Sequence, residues 1–265
     1  VLQNMKLDLK AIRDKRTNLN AQEIGDDAQR AEDWKRLTKN WHQEAKNPVF
    51  DEDEVARMAK QGVTDLIAMQ CSDGGWGWFS GWGERSWPHT TATVVHGLQL
   101  AVKNDIALPP GVLENGIAWL TRYQAEQIAL LQQGERHEKD PKRELPYKSQ
   151  ADNLDALIYS VLTEQETDPA VTKVEANTAE MRRFLYRDRT KLSLYGAALY
   201  GLALHAQGEI ESRDMIIRNI DQFVVTDKEN QTTYIDLPDH GSYWWYWYGD
   251  TIEANVCFLK LLTRV

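Results

Sequence analysis

Residues 65–101 read DLIAMQCSDGGWGWFSGWGERSWPHTTATVVHGLQLA, and the rest of the chain is organised around them. A helical pattern closes at Gln70, a turn with five glycines and four tryptophans follows, and a second helical pattern opens near His89. A backbone this rich in glycine, with Gly74 and Gly75 leading, bends where other residues cannot follow. Trp76, Trp78, Trp82 and Trp87 add apolar surface that a solvated turn does not need. The turn is therefore expected to be wedged between helices. Gln70 can bond the loop backbone, Asp73 can cap, and the tryptophans can staple neighbouring helix pairs. A platform on which sugars stack is the functional alternative.

Upstream, Leu2, Met5, Leu9 and Ile12 fall at helical spacing, and Trp34, Leu37 and Trp41 form a second stripe in a strongly charged stretch. Asp51, with Glu54 three residues on, resembles a capping box opening a helix over 52–70.

Downstream, TTATVVHGLQLAVKN predicts a helix over 89–104 that is small and apolar on nearly every face. Pro109 and Pro110 break it, and an amphipathic helix follows over 111–132. The polar run QQGERHEKDPKREL, near 132–148, predicts a solvated loop. Helices are then expected over 150–164, 169–187, 191–206 and 211–225. QTTYIDL predicts a short strand, placing a small hairpin near 231–247, and an aromatic turn, HGSYWWYWYGD, leads into a last helix beginning TIEAN.

Polar and buried helices thus alternate four times. GLQLA at 97–101 overlays GLALH at 201–205, with Leu98 on Leu202 and Leu100 on Leu204, and Ser160 and Leu259 fall near the matching point of the other two buried helices. The spacing is uneven, so this is no strict tandem array. Small, apolar inner helices fit a closed α/α toroid better than an open solenoid, and they predict a filled centre. The fold class is all-α, a toroid of inner and outer helices with one small hairpin, taken as a single domain over 1–265.

Composition narrows the function. The net charge is −9 with no basic block, which argues against nucleic acid as a partner. No apolar run approaches the ~18 residues needed to span a bilayer, and the first residues carry no signal-peptide pattern. Cys71 and Cys257 lie far apart and form no CxxC pair, so two free thiols are favoured over a disulfide. A start at Val1 and a helical pattern running to the last residue predict a piece of a larger protein.

Gln70-x-x-Asp73-Gly74-Gly75-Trp76-Gly77, closing an outer helix, resembles the glutamine–tryptophan repeats of terpenoid cyclases and related toroids, such as protein prenyltransferases. The order of motifs is more closely similar to the thioester-containing domain of bacterial alpha-2-macroglobulin-like proteins. It includes DGGWGWFSG, a Thr-Ala-x-Val-Val helix (here Thr91 to Val95), and an aromatic segment leading to an acid-bearing inner helix. That segment reads YWWYWYGDTIEAN here, with Glu253 at the acidic position. The likeness covers most of 52–265. It implies a scaffold and interaction module of an envelope protease trap, periplasmic or extracellular, rather than an enzyme. Its partners would be the parent's other domains and, through the parent, the target protease, and no cofactor is implied.

The reactive element of that family is Cys-x-Glu-Gln, whose side chains join as an internal thioester. Cys71 is followed by Ser72-Asp73-Gly74 and Cys257 by Phe258-Leu259-Lys260, so neither fits, and the motif's place falls at or before Val1. No acid motif of the DxDD or DDxxD kind supports a terpenoid cyclase. Asp236, Asp239 and His240 fit solvated or capping roles better than catalysis, and Asp250 with Cys257 lacks the histidine of a prenyltransferase zinc site. His96 and His205 read as core histidines, His89 stands at the start of an inner helix, and His137 has no matching context. An enzyme acting on a polyprenoid or polysaccharide remains the alternative, and its discriminating feature would be a central pocket with convergent carboxylates.

Overall fold

From residue 52 onward the helices follow the apolar spacing. A computed structural model describes residues 52–79, 83–140, 142, 146–164, 175–229, 231–237 and 250–265. The expected helices before residue 51, the Asp51 cap, Gly81, Trp82, and the aromatic turn with Asp239 and His240 lie outside those residues. By its contacts the chain divides into two units, one of 1–68 with 100–107 and one of 69–99 with 108–265.

In the first unit, α1 (Glu52–Ala68) has no buried residue among those described. Its surface carries an Arg57–Glu54 ion pair at 2.6 Å and a Gln61–Asp65 hydrogen bond at 2.8 Å.

The second unit holds most of α2 (Pro88–Lys103), then α3 (Val112–Lys139), α4 (Asn153–Thr163), α5 (Glu175–Asp188), α6 (Leu194–Ala206), α7 (Ile210–Asp221), β1 (Val224–Asp227), β2 (Thr232–Ile235) and α8 (Thr251–Leu262). A single 3-10 turn, Arg189–Lys191, joins α5 to α6. The core is built on α4 and α6, whose residues from Asp155 to Thr163 and from Gly196 to Leu204 are all buried. α3 and α5 pack beside α4, while α7 and α8 pack against α6. Uniformly apolar helices must be surrounded by protein, and one-sided helices must cover them. The expected alternation of buried and amphipathic helices is present from α3 to α7.

Both central helices start on side-chain caps. Asp152 accepts from the amides of Leu154 and Asp155, and Asp155 accepts back from the amide of Asp152, a reciprocal capping box. Ser193 accepts from the amide of Gly196, and Asn153 binds the Ser193 amide and hydroxyl at 2.9 and 3.0 Å, tying the two helix starts together.

Four expectations need correction. The run 132–148 is not a loop along its whole length, because α3 continues to Lys139. Its charges are used between helices: Glu135 accepts from Arg183 at 2.7 and 3.1 Å and from Arg187 at 3.1 Å. Gly134 permits the return of the chain, since a Cβ there would stand 2.2 Å from the Lys148 carbonyl oxygen. The helix expected to reach 225 stops at Asp221, and the β-branched Val224 and Val225 enter β1 instead. The described hairpin accordingly runs from 224 to 235, with Val224 opposite Ile235 and Asp227 opposite Thr232, and so begins earlier than the expected 231–247, of which 238–247 lie outside the described residues.

The last correction concerns the inner set, in which α2 and α8 are one-sided. Leu98, Leu202 and Leu204 are buried as the overlay requires, whereas Leu259 is 61% exposed. On α8 only Ala254, Phe258 and Leu261 are buried. Asn255 fixes its position against the hairpin by binding both backbone groups of Ile235, as a neighbouring strand would, at 2.7 and 3.1 Å.

Candidate functional site

In the tryptophan turn, every predicted polar side chain has a structural partner. Gln70 donates from Nε2 to the carbonyls of Gly74 and Val112, both at 2.9 Å, joining the turn to the start of α3. Asp73 accepts on Oδ1 from Ser86 Oγ at 2.5 Å and the Gly75 amide at 3.3 Å, and on Oδ2 from Trp119 Nε1 at 2.9 Å. Arg122 donates to the Asp73 carbonyl at 2.9 Å. Partial burial works against the Asp73 charge, but the hydrogen bonds from Ser86, Trp119 and Gly75 outweigh it and hold the carboxyl below its ordinary range.

Gly74 sits at φ +97°, where a side chain is strained, and a Cβ would meet the Asn115 carbonyl oxygen at 2.8 Å. Next to it Trp76 is 2% exposed. Its amide donates to Thr91 Oγ1 at 2.9 Å, that hydroxyl donates back to the Trp76 carbonyl at 3.2 Å, and the Trp87 amide reaches the same carbonyl at 2.8 Å. The ring lies against Gly116 of α3 and so fastens the turn to that helix. Trp78, by contrast, is 63% exposed and meets Trp87 edge to face, with ring centroids 6.5 Å apart.

A second feature lies among α2, α4, α6 and α8, where the sequence predicted a filled centre: a pocket of about 340 Å³. Leu157, Val161, Leu199 and Leu202 form much of its wall. Glu164, the residue closing α4, gathers His96, Arg264 and Lys260. Its carboxylate lies 3.0 Å from His96 Nδ1, 3.2 Å from Arg264 and 3.8 Å from Lys260. Glu253 lines the pocket from the first turn of α8. It stands two turns before Lys260, about 10 Å along the axis. Cys257 lies between Glu253 and Lys260 in sequence, and burial pushes its thiol up to about 11. Tyr195 also lines the pocket, its phenol raised by burial and then by nearby Cys257 and Glu253.

The structure therefore gathers Gln70, Asp73, Gly74, Gly75, Trp76 and Thr91 into one bonded joint, leaves Trp78 on its surface, and puts Glu253 in a separate pocket. Sequence reading missed Ser86, Trp119 and Arg122, which complete the Asp73 network, and Glu164, which ties α2 and α8 to α4. A lone acid closing an apolar helix was the only signal for Glu164. His205 faces Arg213 at 3.1 Å through Nδ1, His137 stacks on Tyr147 at 4.1 Å, and burial lowers the affinity of His89 for a proton. The Asp236 amide donates to the Phe223 carbonyl beside the hairpin. Cys71 and Cys257 are both free and half-buried.

A second buried charge group holds the start of α4. Lys148 Nζ lies 2.6 Å from Asp155 and 2.7 Å from Asp152. Burial, with the neighbouring Asp152 charge, raises the Asp155 carboxyl to about 6 although Lys148 opposes the shift. Among the described residues no group of three or more His, Cys, Asp or Glu side chains is arranged to hold a metal. No helix among them is long and apolar enough to cross a membrane.

No protein-family model matches the sequence, and no curated protein matches it. Among solved structures, the native conformation of Escherichia coli alpha-2-macroglobulin is similar over 80% of this chain and 14% of that chain, at 21% identity and a TM-score of 0.45. Native alpha-2-macroglobulin from Escherichia coli, spanning domain MG7 to the C-terminus, is similar over 81% of this chain and 35% of that chain, at 21% identity and a TM-score of 0.43. The chain thus spans only a minor part of either protein.

Proposed function

We propose that this chain is the thioester-type α/α toroid of a bacterial alpha-2-macroglobulin-like protease trap, acting as a scaffold and interaction module rather than as a catalyst. The observation that carries this reading is the state of the turn. Its diagnostic polar groups, Gln70, Asp73 and Thr91, are committed to backbone and neighbouring side chains, so they hold helices rather than face a substrate. The order DGGWGWFSG, Thr91 to Val95, then Glu253 supports the family by sequence resemblance. With no Cys-x-Glu-Gln in the chain, no covalent step is assigned to it. Its partners are the other domains of the parent and, through them, a target protease, in the periplasm or outside the cell. It works without a cofactor.

The test uses the full-length protein that carries this chain. After incubation with a broad-specificity endopeptidase, the trapped protease keeps cleaving a small chromogenic peptide but loses access to a large protein substrate. Equal access to both substrates contradicts the proposal.

One observation favours a second reading, an α/α-type enzyme: the pocket among the inner helices with Glu164 and Glu253 in its lining. The scaffold reading is preferred because Glu164 is already held by Lys260 and Arg264 of this chain.

A further inference from the structure

One face of α8 packs on its own unit, through the buried Ala254, Phe258 and Leu261. Half a turn round the helix, Ile252, Val256 and Leu259 are 75%, 58% and 61% exposed. Thr263, at the C-terminal cap, continues the same line. Steps of four, three and four residues are the seam by which two helices pair, not the pattern of a solvated face. The polar residues beside this seam are sorted by sign. Asp250 and Glu253 stand at the start of α8, Lys260 and Arg264 at its end. Glu253 and Lys260 are two turns apart and so border the seam on the same side. Glu164 lies 3.8 Å from Lys260 and 3.2 Å from Arg264, one acid to two cations among the described residues.

We propose that this face of α8 pairs with the same face of a second copy of the chain, the two helices running antiparallel about a twofold axis. With Val256 opposite Leu259 of the second copy, Ile252 meets its Thr263, and Glu253 falls between its Lys260 and Arg264. The symmetry makes each of these contacts twice. A parallel pair would set Glu253 against Glu253 and Lys260 against Lys260, with the helix dipoles aligned. The charge order that repels in a parallel pair therefore attracts in an antiparallel one. Apolar contact supplies the affinity, and the sorted charges supply the direction. A single helix face lies at the small end of specific interfaces, so the dimer is weak and forms at micromolar concentrations or above.

Sedimentation velocity of the full chain, from micromolar to submillimolar concentration, measures the association. Wild type is expected to pass from monomer to dimer. Leu259→Glu, at an exposed position, is expected to weaken the dimer about tenfold or more without lowering the melting temperature. Glu253→Lys is expected to weaken it about fivefold, as for loss of a partly exposed ion pair. Direction is read by disulfide cross-linking in a Cys71→Ala, Cys257→Ala background. A mixture of Ile252→Cys and Thr263→Cys is expected to give the mixed dimer under mild oxidation. Either variant alone, with its two thiols about 16 Å apart along the pair, is expected to give little. A chain that stays monomeric throughout, association unchanged by Leu259→Glu or by Glu253→Lys, or cross-linking of a single variant in preference to the mixture overturns the proposal.

Discussion

The Thr91 hydroxyl and the backbone of Trp76 exchange two hydrogen bonds, one from the Trp76 amide at 2.9 Å and one back to its carbonyl at 3.2 Å. Thr91 is fully buried, so these groups have no water to turn to. Thr91→Val keeps the shape and removes both bonds, so the buried Trp76 amide loses its hydroxyl acceptor while the Trp76 carbonyl keeps the Trp87 amide. It is expected to cost about 1–3 kcal/mol in denaturant unfolding, with Thr91→Ser recovering most of the loss. Equal stability of the Val and Ser variants contradicts this role.

Gly134 makes the converse prediction. Alanine normally favours a helix over glycine by about 1 kcal/mol, yet here its methyl group would press on the Lys148 carbonyl oxygen at 2.2 Å. Gly134→Ala is expected to lower stability by about 1–3 kcal/mol, the range for overpacking a filled site. A gain in melting temperature would show that the chain does not cross α3 there.

The Asp155 clamp has a pH signature. Its carboxyl is raised from 3.8 unfolded to about 6 folded, chiefly by burial and then by the Asp152 charge. A raised group contributes stability that is complete below the unfolded value and is lost as pH rises through the folded one. The stability of wild type relative to Asp155→Asn should therefore fall between pH 4 and pH 6 and level off above. Urea titrations across that range decide the matter, and a difference that rises with pH would contradict the assignment.

How far the sequence revealed all this depended on what each residue type can do alone. The apolar run from Asp155 to Thr163 and the run from Gly196 to Leu204 announce buried helices because nothing else can hide that much hydrocarbon. The turn was legible for the same reason: glycines and tryptophans in one stretch restrict what the backbone can do. The charged run after 132 misled because a helix whose charges meet Arg183 and Arg187 on another helix has the same local composition as a solvated loop. The pocket was invisible because small apolar residues specify which helices meet, not how closely. The hairpin's first strand was hidden behind α7, where Val224 and Val225 extend its apolar stripe in sequence but turn into β1 in space.

Glu164 gives a prediction on the far side of the unit. Its side chain is 10% exposed, pairs with Lys260 and Arg264 at the end of α8 and lies 3.0 Å from His96 of α2. Glu164→Gln is expected to cost about 1–3 kcal/mol and to speed amide exchange at Phe258 and Leu261. Unchanged exchange there would mean that apolar packing alone holds α8.

The central claim is that the tryptophan turn is a joint and not a site, and Trp76 bears that claim most directly. Its ring is 2% exposed against α3, and its backbone is bonded on both sides to Thr91 and Trp87. Equilibrium urea unfolding of Trp76→Ala against wild type measures the ring's contribution. The expected loss is about 3–5 kcal/mol, as for truncation of a fully buried aromatic. A variant as stable as wild type would contradict the account and return the turn to consideration as a binding surface.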